Sequence, residues 1–198
     1  MEQRRKTELT LVCGINGTGK STWLRDNIVN DDIIKSNQRV IVVTPDDCEW
    51  RELAGLKLSD INDFTGSRRV VYQSPATIDA LCRQFRHGTL ILDDALAYLT
   101  LQTPEALQWV YIRHRQAAVD IFIVAHGLRQ FPPRVFTFAQ WLVLFNSVEN
   151  FSSRKKDVRE DIYNKIIQAQ RRIANRVAEG DPYYHEIILF DDQIKGKL

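Results

Sequence analysis

Short apolar runs recur along the chain, and each has the length and composition of a buried β-strand. These runs cover residues 9–13, 39–44, 69–72, 89–92, 120–125 and 141–145. A further apolar stretch, 185–190, is followed by Asp191 and Asp192, and this order predicts a hairpin at the end of the chain. The pattern therefore predicts a sheet of at least six strands.

In the segments between these runs, apolar residues recur at the spacing of an α-helix. Helices are predicted over 21–30, 75–85, 104–118 and 154–178, and one short helix within the otherwise irregular stretch 46–68. The second helix begins with Ser74 as its N-cap and Pro75 in its first turn. The apolar face of the last helix consists of Val158, Ile162, Ile166, Ile173 and Val177. Strands that alternate with helices predict an α/β fold, with a mainly parallel central sheet flanked by helices.

Length and composition predict one soluble globular domain. The 198 residues, 44% hydrophobic and 26% charged, suit a single domain over 1–198, with 151–198 as an appendage made of a helix and the hairpin. The charged start of the chain does not resemble a signal peptide, and no apolar run is long enough to cross a membrane. Three cysteines without metal-ligand spacing suit a reducing compartment, so we expect a cytoplasmic protein.

The stretch GINGTGKS, which begins at Gly14, matches the Walker A pattern in full. Backbone N–H groups of such a loop and of the following helix point at phosphate oxygens. Lys20 can reach the β- and γ-phosphates of ATP, and the Ser21 hydroxyl can bind Mg²⁺. An apolar strand precedes the loop and an amphipathic helix follows it, as the motif requires. The predicted nucleotide-binding residues are Gly14, Ile15, Asn16, Gly17, Thr18, Gly19, Lys20, Ser21 and Thr22.

The strand 89–92 ends in two carboxylates, Asp93 and Asp94. In a P-loop fold an acidic strand end beside the phosphate loop holds the Mg²⁺ shell, and this predicts Asp93 as a metal ligand together with Ser21. Asp94 is then placed to polarise an attacking water. The spacing between the two motifs suits the additional-strand, ASCE or RecA-like, class of P-loop NTPase, which mostly comprises ATP-driven motors. That class usually has glutamate at the position of Asp94, which is one methylene shorter.

A polar residue, His126, follows the strand 120–125. At the end of this strand a polar side chain can contact the γ-phosphate and the attacking water. We therefore predict that His126 senses hydrolysis and reports it to the rest of the fold.

These motifs in this order resemble the FtsK/HerA superfamily of DNA-pumping ATPases. The small size and the segment from Arg113-His114-Arg115 to His126 resemble two groups within it. These are the genome-packaging ATPases of membrane-containing icosahedral viruses and the zonula-occludens-toxin-like assembly ATPases of filamentous phages. The similarity covers residues 8–146. The family typically has glutamine where His126 stands, and 151–198 matches no motif of the family.

The resemblance implies a homo-oligomeric ring, typically a hexamer, with ATP bound between neighbouring subunits. An arginine from one subunit would complete the site of the next, and the candidates are Arg113, Arg115 and Arg129. It also implies double-stranded DNA as a partner, capsid-vertex or membrane proteins as further partners, and a location in the host cytoplasm or with the virion. The net charge of only +2 leaves DNA contact to local clusters at 4–6, 154–156 and 171–172. Each cluster is more typical of solvated surface than of DNA contact.

Three functions remain open from the residues alone. The first is a DNA-translocating ATPase, with packaging of a double-stranded genome favoured over extrusion of a filamentous phage, whose proteins usually continue into a membrane segment. The second is a nucleoside or small-molecule kinase, for which Arg129 and Arg134 would close a lid over the phosphates. The third is a nucleotide-gated scaffold without hydrolysis, because Asp94 and His126 replace the expected residues.

Overall fold

The computed structural model describes residues 7–30, 39–94, 97 and 112–190. Within these residues seven strands form one sheet in the order β3-β2-β4-β5-β1-β6-β7. The strands are β1 (Leu9–Cys13), β2 (Arg39–Thr44), β3 (Ser67–Val71), β4 (Gly88–Leu92), β5 (Val119–Ala125), β6 (Trp141–Leu144) and β7 (Glu186–Leu189). Neighbouring strands are parallel except β6 and β7, which are antiparallel. The predicted α/β class is confirmed.

The sheet order places β5 between β1, which leads into the phosphate loop, and β4, which leads into Asp93. Each of these three strands is buried along its whole length, because helices and loops cover both faces of the sheet. One apolar cluster of the core includes Leu11, Leu90 and Ile121, and a second on the other face includes Val12 and Ile91. The additional strand that the motif spacing predicts is β5, which lies between β1 and β4.

Five α-helical segments occur in the described residues: α1 (Lys20–Leu24), α2 (Pro75–Gln84), α3 (His114–Ala117), α4 (Val135–Phe138) and α5 (Glu160–Ala178). The chain continues from α1 as a π-helical segment, Arg25–Val29, so the predicted helix 21–30 has two hydrogen-bonding patterns. The short helix predicted within 46–68 is the 3-10 turn Leu58–Asp60. Most of the predicted helix 104–118 lies outside the described residues, and α4 was not predicted.

The last helix begins at Glu160, so the prediction that it starts at residue 154 is wrong. Residues Phe151–Asp157 form a 3-10 helix, and Val158 and Arg159 are extended. The cause lies in tertiary contacts: the Arg154 guanidinium donates to the carbonyls of Arg129 and Phe131 and pairs with Asp157. These bonds hold the segment in a tight turn that an α-helix starting there would break.

Two other local predictions differ from the structure in detail. Ser74 occupies the N-cap position of α2, but its side chain makes no capping hydrogen bond; Gln73 N–H donates to the Thr77 hydroxyl instead. The stretch 185–190 is found as β7, which pairs with β6 along the central sheet. The predicted turn at Asp191 and Asp192 lies outside the described residues.

Candidate nucleotide site

The phosphate loop is held between the ends of three strands. It leaves β1 after Cys13, and its first residues are tied to the neighbouring strands by Gly14 N–H to the Ala125 carbonyl (3.3 Å) and Ile15 N–H to the Asn146 carbonyl (2.9 Å). Only glycine fits at position 14, because a Cβ there would lie 2.5 Å from Cβ of Phe145. Gly19 has φ +91°, a left-handed conformation that favours glycine, and α1 begins directly after it.

Lys20 is buried and folds back over the loop. Its Nζ donates to the carbonyls of Gly14 (2.7 Å) and Ile15 (3.1 Å), and the Thr18 hydroxyl also donates to the Ile15 carbonyl (2.8 Å). Burial lowers the pKa of Lys20, and the nearby acidic groups Asp93, Glu49 and Asp94 oppose that shift. Because an ammonium group binds charged phosphate oxygens more strongly than neutral carbonyls, Lys20 can exchange these two carbonyls for phosphate.

Asp93 is buried at the end of β4, where its backbone N–H donates to the Val43 carbonyl of β2. The Trp50 indole N–H donates to Asp93 Oδ2 at 2.6 Å and orients the carboxylate. Glu49 forms a side-chain hydrogen bond to Asp93, and burial followed by repulsion from Asp93 raises the pKa of Glu49. A hydrogen bond between two carboxyl groups needs a proton on one of them, and a divalent cation in the place of that proton would let both ionise.

Asp94 and His126 face each other across the pocket. His126 follows β5, with Nε2 at 3.7 Å from Asp94 Oδ1 and Nδ1 at 3.4 Å from Lys20 Nζ. Because an ammonium group only donates, Nδ1 accepts from Lys20 and the proton of a neutral ring lies on Nε2, towards Asp94. His126 is itself placed by Gln130, whose side-chain oxygen accepts from its backbone N–H at 2.8 Å.

These groups line one pocket of about 570 Å³ at the carboxyl edge of the parallel strands. The predicted residues that line it are Asn16, Gly17, Gly19, Lys20, Ser21, Thr22, Asp93, Asp94 and His126. Gly14, Ile15 and Thr18 form the base of the loop through the hydrogen bonds described above. Ligands of open parallel sheets bind at this edge, so the fold places the predicted nucleotide residues where a ligand is expected.

Four further lining residues were missed from the sequence: Pro45, Asp46, Glu49 and Tyr183. The sequence holds part of the signal for the acidic pair, since acidic residues follow the predicted strand 39–44 after Pro45, but only the sheet shows that β2 neighbours β4. Residues after adjacent parallel strands meet at the same edge. Tyr183 has no local signal, because it precedes β7 and reaches the loop only through the tertiary fold.

The donor set fits Mg²⁺. The Ser21 hydroxyl and the carboxylates of Asp93 and Glu49 are hard oxygen ligands, and Mg²⁺ in phosphate sites is commonly held by one or two carboxylates together with phosphate oxygens. Among the described residues no group of three or more His, Cys, Asp or Glu side chains could hold a metal by itself.

None of the three arginine candidates lines this pocket. Arg113 and Arg115 are exposed and lie before β5 begins, at the opposite edge of the sheet from the phosphate loop. Arg129 is exposed and follows β5, so it lies at the same edge as the loop. Its backbone is fixed by Glu149, which accepts its N–H at 3.0 Å.

The basic clusters are largely engaged within the chain. Arg172 makes a bidentate pair with Glu186, and the Lys155 ammonium lies over the Tyr163 ring and near Glu160. Arg154 is bound to the backbone, as described above, and the cluster 4–6 lies outside the described residues. These contacts do not point to any of the clusters as a DNA grip. Among the described residues no helix is long and apolar enough to cross a bilayer.

The loop, the buried acidic strand end and the intervening strand together define the fold of a P-loop NTPase. No protein-family model matches the sequence, and no curated protein sequence matches it either. Solved structures do match. The genome packaging NTPase B204 from Sulfolobus turreted icosahedral virus 2, in complex with AMPPCP, aligns with a TM-score of 0.72 at 17% identity over 96% of each chain.

The DNA-packaging ATPase B204 from Sulfolobus turreted icosahedral virus aligns with a TM-score of 0.68 at 16% identity over 94% of each chain. The N-terminal domain of zonular occludens toxin from Neisseria meningitidis aligns at 18% identity over 72% of this chain and 78% of that chain. Its TM-score of 0.44 is too low to establish a shared fold. At 16–17% identity, the similarity to the two B204 structures establishes a shared fold. The chain therefore has the fold of a viral genome-packaging NTPase, as the motif resemblance implies.

Proposed function

We propose that this chain is an ATP-hydrolysing motor that translocates double-stranded DNA, and that it packages a viral genome into a capsid. The observation that carries the proposal is the single pocket in which the phosphate loop, Asp93 with Asp94, and His126 meet, with β5 between β1 and β4. Hydrolysis of a phosphoanhydride uses phosphate-binding groups, a metal-holding carboxylate and a group that polarises water, and this arrangement supports these residues in those roles.

The residues divide the chemistry among them. The loop amides and Lys20 bind the phosphates. Ser21 and Asp93 would hold Mg²⁺, which when bound would neutralise negative charge on the phosphates. Asp94 accepts a proton from the attacking water, and the His126 imidazole, with Nε2 at 3.7 Å from Asp94 Oδ1, lies beside the same water position. Since His126 also contacts Lys20, a change at the phosphates is transmitted to the end of β5.

The assignment to genome packaging is supported by the shared fold over nearly the whole of both chains. The B204 structure contains AMPPCP, and other structures of the same protein contain ATP-gammaS or AMP, which supports ATP as the nucleotide here. We propose a homo-oligomeric ring, with six subunits as the expected number, acting on double-stranded DNA at a capsid vertex or membrane protein. The site of action would be the host cytoplasm or the virion.

The site favours this function over a kinase. A kinase lid closes two or more arginines over the phosphates, whereas the pocket-lining residues in the described part of the chain include no arginine. Extrusion of a filamentous phage would use the same ATPase chemistry, and it is the alternative function that we keep for the motor.

The proposal is tested by steady-state phosphate release from ATP with and without double-stranded DNA, on the wild type and on Lys20→Ala. We expect DNA to raise the turnover and Lys20→Ala to abolish it, because Lys20 is the cation that reaches the transferring phosphate. Turnover that ignores DNA but increases with a nucleoside acceptor would replace the motor by a kinase. Nucleotide binding without turnover, with DNA present and the ring assembled, would leave a nucleotide-gated scaffold.

A further inference from the structure

Tyr183 is a large aromatic residue that stays 63% exposed beside the phosphate loop. It lines the nucleotide pocket, and its ring packs against Gly19: a Cβ built on Gly19 would lie 3.1 Å from Cδ1 of Tyr183. An exposed aromatic face at the rim of a polar pocket is a surface on which a flat ligand group can stack.

The sheet order places Tyr183 on the side of the loop away from the metal residues. Asp93 ends β4, which is separated from β1 by β5 on one side. Tyr183 precedes β7, which is separated from β1 by β6 on the other side. A nucleoside triphosphate whose terminal phosphate faces Asp93 has its nucleoside at the opposite end of the phosphate chain, and that end points towards Tyr183.

The segment that carries Tyr183 is anchored by its neighbours in sequence. The His185 ring stacks on Phe145 with centroids 4.8 Å apart and meets the Trp23 ring edge-on at 6.1 Å. The Arg176 guanidinium lies over the Tyr184 ring at 5.2 Å. Because these contacts use the adjacent side chains, the Tyr183 ring is positioned without being covered, and a ligand would find it already in place.

We propose that Tyr183 is the stacking platform for the base of the bound nucleotide, and that the site takes purine nucleoside triphosphates in preference to pyrimidine ones. Stacking on an aromatic ring depends on the area of overlap, so a purine base makes more contact with Tyr183 than a pyrimidine base does. Adenine and guanine have similar areas, so stacking distinguishes them only weakly. This inference rests on the proposed nucleotide site. It concerns the base of the nucleotide, which the phosphate loop does not contact. It also gives residues 180–185 a role in the function.

The test is calorimetric binding of four ligands: the β,γ-imido analogues of ATP, GTP and CTP, and inorganic tripolyphosphate, each with Mg²⁺. The variants are Tyr183→Phe, Tyr183→Leu and Tyr183→Ala, and Ile187→Ala serves as control because Ile187 is also exposed and lies on β7 outside the pocket. We expect Tyr183→Ala to weaken binding of the ATP and GTP analogues about 10-fold or more, the loss of one aromatic–base stack. Tyr183→Phe should bind as the wild type does, and Tyr183→Leu should fall between them.

Tripolyphosphate separates stacking from support of the loop. It has no base, so its affinity should be the same for the wild type and Tyr183→Ala. An equal loss for tripolyphosphate and the ATP analogue would overturn the proposal, because Tyr183 would then act only by packing against Gly19. Unchanged binding of the ATP analogue to Tyr183→Ala would also overturn it. If the wild type bound neither ligand, the nucleotide site itself would fail and the proposal with it, a result distinct from the other two.

Discussion

At the residue scale, Lys20, His126 and Asp94 lie in a row across the pocket, with 3.4 Å between Lys20 Nζ and His126 Nδ1 and 3.7 Å between His126 Nε2 and Asp94 Oδ1. The imidazole lies between a cation and an anion, so its two nitrogens have different roles: Nδ1 accepts from Lys20, and Nε2 of the neutral ring is a donor on the side of Asp94. A glutamine amide, the residue that the resembling family typically has here, also offers one acceptor and one donor. The replacement of glutamine by His126 therefore keeps the hydrogen-bonding capacity that a sensor requires.

The two carboxylates beside Asp93 are expected to have different tasks. Asp94 faces His126, whereas Glu49 is hydrogen-bonded to Asp93, which we propose as a Mg²⁺ ligand, and so we place Glu49 with the proposed metal ligands. We predict that Asp94→Asn lowers kcat for ATP hydrolysis by about 100-fold or more, because a carboxamide cannot take a proton from water. Glu49→Gln should instead raise the Mg²⁺ concentration that gives half-maximal turnover, with a smaller effect on kcat.

A Mg²⁺ titration of steady-state turnover at saturating ATP measures both quantities. Asp47→Asn is the matched control, since Asp47 is exposed between Asp46 and Glu49 but does not line the pocket. The opposite pattern, with kcat lost in Glu49→Gln and retained in Asp94→Asn, would exchange the two roles.

At the scale of elements, the junction of α3 with β5 depends on a buried histidine. His114 is fully buried; its Nδ1 donates to the Val119 carbonyl at 2.9 Å, and its Nε2 has no hydrogen-bond partner among the described residues. Burial lowers the pKa of His114, and the Arg115 charge adds to this effect. The folded protein therefore holds His114 neutral, while the unfolded chain protonates it near its ordinary pKa.

The sign of the pH effect follows from this difference. The unfolded state binds more protons, so the contribution of His114 to stability is complete above about pH 6.5 and declines as the pH falls below it, by at most about 1.4 kcal/mol per pH unit for one group. We predict that His114→Asn, which keeps a donor near the Nδ1 position, removes this part of the acid sensitivity. Thermal unfolding of both proteins between pH 8 and pH 5 measures it.

The matched control for this prediction is His87→Asn, because His87 is exposed and its φ of 54° is one that asparagine tolerates. The His87→Asn protein should retain the part of the acid sensitivity that His114 contributes. Identical acid sensitivity in His114→Asn and the wild type would show that His114 does not titrate across unfolding.

At the scale of the whole molecule, the sheet limits which arginine could serve a neighbouring subunit of the proposed ring. Arg129 is exposed at the edge that carries the nucleotide pocket, whereas Arg113 and Arg115 lie at the opposite edge. In a ring whose nucleotide sites lie between identical subunits, the arginine in trans must lie at the level of those sites, and only Arg129 of the three candidates meets this condition. We therefore propose Arg129 as the arginine in trans.

Mixing variants tests this assignment. Arg129→Ala and Lys20→Ala should each lack ATP turnover, but a random mixture in equal amounts should recover up to about a quarter of the wild-type rate, because that share of interfaces combines an intact Lys20 with an intact Arg129. The same measurement on Arg115→Ala is the control, and that variant should be active alone. Full activity of Arg129→Ala by itself would contradict the proposal.

Much of this protein could be predicted from the sequence because the relevant signals are local. Buried parallel strands are short apolar runs, so β1 and β2 are found at the predicted residues, and the polar residues that end β4 and β5 mark one edge of the sheet. A phosphate loop needs glycine and lysine at fixed spacing, and the pocket contains them. What failed was the start of α5, where bonds from Arg154 to distant carbonyls overrode helical periodicity.

Only the tertiary structure decided how separate segments complete the site. The pairing of β2 with β4 sets Glu49 and Trp50 against Asp93, and the antiparallel addition of β7 to β6 brings Tyr183 to Gly19. The sequence by itself determined the loop, the acidic strand end and the α/β class, since each depends on neighbouring residues. The remaining groups depend on strand order, which is set by contacts between residues far apart in the chain and therefore has no signature in any short stretch.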